Sequence, residues 1–112
     1  MANPGPWDHA HGIKAHIMIE LNEGIDLDDA WKKITAAKPA HGKDPKKRFH
    51  LINLHVTLGE VDMMADVHCA WTTPRGQETR VIAEWVNSMR QLKSGGAFIV
   101  ASTSTNVCAN WP

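Results

Sequence analysis

His55, Asp66 and His68, side chains able to carry chemistry together, lie in the run Phe49 to Trp71, FHLINLHVTLGEVDMMADVHCAW, and His16 lies in an earlier segment. Imidazole is the commonest transition-metal ligand, and three side-chain donors plus a water make a catalytic zinc geometry. Two histidines and one carboxylate are instead the ligand set of non-haem iron sites, and imidazole also suits copper. Without a metal, the same groups would line a polar cavity through hydrogen bonds or serve as general acid and base.

Alternation says which of these residues share a surface, because successive side chains of a strand point to opposite sides of the sheet. The long run reads as two strands folded back around Leu58 to Asp62. Ile52, Leu54, Val56 and Leu58 form one face of the first strand, and Asn53, His55 and Thr57 the other. On the second strand Met63, Ala65, Val67, Cys69 and Trp71 oppose Asp62, Met64, Asp66 and His68. With the apolar faces aligned, His55 is expected across from Asp66, and His68 across from Asn53. Ile13 to Leu21 alternates in the same way, with Lys14, His16, Met18 and Glu20 on its polar side. The expected metal set is therefore His16, His55, His68 and Asp66, with Asn53, Met64, Glu20 and Ser102 as ligand-binding neighbours. His50 falls on the opposite parity and, with His41, reads as structural. His9 and His11 form an HxH pair on a terminal arm and are the alternative donors.

The positioning elements follow in order. Residues 1–12, with two prolines and two glycines, read as an irregular arm. Asp26 has the makings of an N-cap, Asp28 and Asp29 suit the first turn, and Pro39 ends the helix. Lys38 to Arg48 reads as a basic loop that is either plainly solvated or an anion-attracting rim to a site. A second amphipathic helix is expected over Gln77 to Leu92, stopped by Gly95 or Gly96. Ala97 to Val107 is the last strand, with Ile99 and Ala101 towards the helices and Val100, Ser102 and Ser104 away from them. Trp31, Trp71 and Trp85 fit apolar positions, whereas Trp7 and Trp111 lie in the terminal tails.

The order β-α-β-β-α-β predicts an α+β, ferredoxin-like domain over residues 13–107, followed by a tail over 108–112. It has a four-stranded antiparallel sheet in the order last, first, third, second strand, with both helices on one face. The uncovered face, bearing Met18, Met64 and Val100, is expected to be closed by a second copy, giving a homodimer or a larger assembly of dimers.

Composition narrows the partners. Twelve basic residues balance twelve acidic ones, so no global charge draws the chain to nucleic acid or to a membrane surface. Two cysteines are too few for a disulfide framework, and Cys69 suits an apolar strand face. The N-terminus lacks the pattern of a signal peptide, and no apolar run reaches the length of a bilayer span, so a cytoplasmic location is expected.

Leu58-Gly59-Glu60-Val61-Asp62-Met63-Met64-Ala65-Asp66-Val67 resembles the turn-and-strand pattern of the ligand-binding domain of leucine-responsive (Lrp/AsnC) regulators and of stand-alone GYD-type proteins. Gly95 to Val100, with Ser102 to Val107, is similar to the strand that ends those domains. Val61 stands where an aromatic is usual, and no helix-turn-helix is present, so transcriptional control is not implied. The resemblance, over roughly residues 50–107, implies a dimeric α/β barrel in which two sheets pack through their helix-free faces and enclose a cavity. The expected function is small-molecule binding in a histidine-lined cavity, with a transition metal (Zn, Fe or Cu) and metal-dependent catalysis as its extension. A non-catalytic effector-binding module is the alternative, and haem binding follows from fold analogy alone.

Overall fold

A computed structural model of the chain describes residues 12–38, 49–57, 59, 61–70 and 76–109, with side chains through 107. The elements are β1 (Gly12–Leu21), α1 (Leu27–Ala36), β2 (Phe49–Val56), β3 (Met63–Ala70), α2 (Glu78–Arg90), β4 (Lys93–Ser94), β5 (Ala97–Phe98) and β6 (Val100–Ala109). Four strands form one antiparallel sheet in the order β2-β3-β1-β6, and β4 and β5 form a separate hairpin. This α+β arrangement is compatible with the ferredoxin-like fold, in the strand order expected. His9, His11, His41, Leu58, Trp7, Trp71, Trp111 and the basic loop beyond Lys38 lie outside the described residues.

Local chemistry explains the elements. The Asp26 carboxylate accepts from the Asp29 backbone N–H at 3.0 Å, capping α1 as expected. Ala30 and Ile34 of α1 and Ile82, Trp85 and Met89 of α2 are buried in one cluster. That cluster takes Ala15, Ile17 and Ile19 from β1 and Met63, Ala65, Val67 and Cys69 from β3, so both helices cover the odd-numbered face of these two strands. Trp85 is fully buried, its ring 5.4 Å from that of Phe49, and its indole N–H donates to the Ala37 carbonyl at 3.1 Å. The indole thereby ties α2 to the end of α1 while meeting its own polar demand.

The turn between β2 and β3 is docked on β1. Asp62 N–H donates to the Ile19 carbonyl at 3.0 Å, and the Asp62 carboxylate accepts from Leu21 N–H at 2.8 Å. The aspartate of the turn pattern therefore has a structural job, satisfying the backbone where β1 ends.

Two irregularities redirect side chains. In β2 the register shifts between Leu51 and Asn53, so Phe49 and Leu51 pair with Cys69 and Val67, while Leu54 and Val56 pair with Ala65 and Met63. The bulge absorbs Ile52, and residues before and after it change parity. His50, expected to face the helices, instead pairs with His68. A second shift between Glu20 and Leu21 pairs Leu21 with Val100. Val100, expected on the helix-free face, is buried in the core, and Ala101 is exposed.

Other expectations are also corrected. Trp31 is 39% exposed because α1 turns only Ala30 and Ile34 fully inward. Val56, at the outer end of edge strand β2, is 50% exposed. Gly95 and Gly96 do not stop α2, which is capped at Gln91; with φ of 59° and 85° they form the turn of the β4–β5 hairpin. Two consecutive positive φ values are what a tight hairpin turn requires, and glycine meets them without strain.

Candidate functional site

The helix-free face is organised as rows of side chains running across the strands. One row is Lys14, His68 and His50, on β1, β3 and β2. Two residues along, the row is Asn106, His16, Asp66 and Asn53. The next is Ser104, Met18, Met64 and His55. Beyond it Glu20 pairs with Ser102, whose hydroxyl donates to the Glu20 carboxylate at 3.0 Å.

Asp66 lies at the centre of these rows. His16 Nδ1 is 2.6 Å from one carboxylate oxygen, and His55 Nε2 is 3.2 Å from the other. The contact with His16 is made directly across the strand pair. That with His55 is diagonal, because the bulge sets Asn53, not His55, opposite Asp66. Such diagonals are within reach of long side chains. The Asp66 side chain is 15% exposed, against 39% for His16 and 48% for His55.

Partial burial pushes the Asp66 carboxyl up, but the hydrogen bonds from His16 and His55 and their charges outweigh it. The net effect holds the group below the usual carboxylate range. An ionised carboxylate only accepts, so each contacting ring nitrogen carries the proton. When neutral, His16 is then the Nδ1–H tautomer and offers the lone pair of Nε2. His55 is the Nε2–H tautomer and offers Nδ1. One carboxylate thus orients two imidazoles, each with a basic nitrogen free of that bridge. This is the arrangement by which an aspartate fixes the tautomer of a histidine base or of a histidine ligand.

Of the expected metal set, His16, His55 and Asp66 come together and His68 does not join them. His68 is 1% exposed and stacks on His50, with ring centroids 6.1 Å apart and planes 12° from parallel. Burial holds the His50 imidazole below its ordinary pKa. The His68 ring also lies over Gly12: a Cβ built there would stand 2.6 Å from His68 Nε2 and 2.3 Å from the Cys69 carbonyl oxygen. Gly12 therefore makes the notch that receives this ring. Among the described residues no group of three or more His, Cys, Asp or Glu side chains could hold a metal ion. Both Asp66 oxygens are already engaged by imidazole.

Of the expected neighbours, Asn53 adjoins Asp66 in register, Met64 is half-buried beside Met18, and Glu20 and Ser102 are bonded to each other at the far end. Sequence reasoning missed His50 on this face and the notch at Gly12. A signal for the first was present: Leu51 and Ile52 are adjacent apolar residues, which strict alternation does not allow. Among the described residues no helix is long and apolar enough to cross a membrane. No family model matches the chain, and no curated protein sequence or solved structure matches it.

Proposed function

We propose that the chain is a small-molecule-binding module whose helix-free sheet face is closed by a second copy into a barrel cavity, with His16 and His55 as its working groups. The observation that carries this reading is the His16–Asp66–His55 bridge. Two imidazoles held by one carboxylate beneath them are oriented to accept protons or hydrogen bonds from whatever lies on the face. The methionine pair Met18 and Met64 beside the bridge supplies apolar contact, as a ligand site with few polar groups needs. A ligand carrying an acidic O–H, N–H or activated C–H suits this lining, and proton abstraction is the chemistry two such bases support.

A second reading keeps the cavity and removes the chemistry. In an effector-binding module like those of the Lrp/AsnC and GYD type, the imidazoles would only hydrogen-bond the ligand. The Gly59 and Asp62 turn pattern motivates it.

A fragment screen on the full chain, read by NMR on methionine methyls and histidine rings, tests the proposal. Protic fragments, phenols and β-dicarbonyls among them, are expected to shift Met18, Met64, His16 and His55 together. Sedimentation under the same conditions is expected to give a dimer. Fragments that touch only the helix side, or a strictly monomeric protein at micromolar concentration, would contradict it.

A further inference from the structure

We infer that the Lys14 end of the same face seats the carboxylate of a small organic acid. This rests on the helix-free face being the ligand cavity and deepens it by naming the ligand class. Lys14 is half-buried on β1, in register with His68 on one side and Cys108 on the other. Among the described residues its ammonium group has no carboxylate partner, since the ion pairs formed there join His16 and His55 to Asp66, Lys33 to Asp29 and Arg80 to Glu84. An ammonium with no carboxylate partner among the described residues offers a charge-assisted hydrogen bond to a bound carboxylate.

The rows fix which way a ligand would lie. A strand rises about 3.3 Å per residue, so Lys14 and His16 are roughly 7 Å apart along β1, and Met18 lies about 7 Å beyond. A small acid of a few heavy atoms spans the first interval, with its carboxylate at Lys14 and its protic group at His16. An apolar extension beyond the protic group then points towards Met18 and Met64. The reverse orientation would bring the carboxylate towards Glu20, where like charge opposes it. The nearer carboxylate, Asp66, is shielded by its two imidazoles. A single ammonium matches a monoanion, whereas a phosphate dianion calls for more donors.

The test titrates benzoate, phenyl phosphate and benzyl alcohol into the isotope-labelled full chain at constant ionic strength, so that salt screening is equal in every arm. Methionine methyls report the face, and the Lys14 side chain reports the seat. Benzoate is expected to bind saturably, shifting Met18, Met64 and Lys14, and to bind more tightly than benzyl alcohol. Lys14→Met is expected to weaken benzoate about tenfold, the effect of losing one charge-assisted contact, and Lys14→Arg to retain it. Benzoate that shifts both methionines equally in the wild type and in Lys14→Met would overturn the seat while leaving the ligand face standing. Phenyl phosphate binding more tightly than benzoate would overturn the monoanion assignment. If none of the three probes moves Met18 or Met64, the ligand face itself falls and the inference falls with it.

Discussion

The two faces of the sheet are built from the same strands yet obey different rules. On the helix side Ile17, Ile19, Ala65 and Val67 are fully buried, and shape complementarity with Trp85, Ile82 and Met89 decides what fits. On the other side each of those residues has a neighbour of opposite parity that is only partly covered: His16, Met18, Met64 and Asp66. There, hydrogen bonds and charge hold His16 and Asp66. That second face is held by a carboxylate bridge and flanked by methionines. Stability is concentrated on one side of the sheet, and the titratable groups on the other.

The comparison breaks most visibly at the tryptophans. Trp85→Ala is expected to cost roughly 3–5 kcal/mol, since it removes a fully buried ring and orphans the Ala37 carbonyl. Trp31→Ala, at a position 39% exposed, is expected to cost only about 1 kcal/mol. Denaturant unfolding of both variants measures the contrast, and equal losses would mean that the core extends over α1 further than its burial indicates.

A smaller effect belongs to the open face. Asp66→Asn is expected to cost about 1 kcal/mol near neutral pH, because the half-exposed imidazoles leave their contacts partly screened. The folded carboxyl sits below its ordinary value, so its stabilisation is complete above the unfolded value of about 3.9 and is lost as pH falls through the folded one. Wild type and variant should therefore converge in stability as pH drops below about 4. A gap that stays constant down through acid pH would show that the histidines do not depend on the ionised carboxylate.

The faces are legible in the sequence wherever alternation runs unbroken. β1 and β3 follow it from Ile13 to Ile19 and from Met63 to Cys69, which is why the pattern alone puts His16 and Asp66 on one surface. The errors sit where a strand carries an extra residue. The bulge at Ile52 turns His50 outward and sets Asn53, in place of His55, opposite Asp66. The shift near Leu21 sends Val100 into the core. A bulge leaves only a pair of adjacent apolar residues as its mark, Leu51-Ile52 and Ile99-Val100 here. The exposure of Trp31 is hidden from the sequence for another reason: helical spacing fixes a face but not how far the sheet reaches beneath it.

The central claim is that Asp66 orients both histidines towards the open face, and the ring-nitrogen chemical shifts of histidine-labelled protein test it most directly. In the neutral rings, His16 should be held as the Nδ1–H tautomer and His55 as Nε2–H, with both preferences lost in Asp66→Asn. A His16 ring that carries its proton on Nε2, or that averages freely between tautomers in the wild type, would contradict the account.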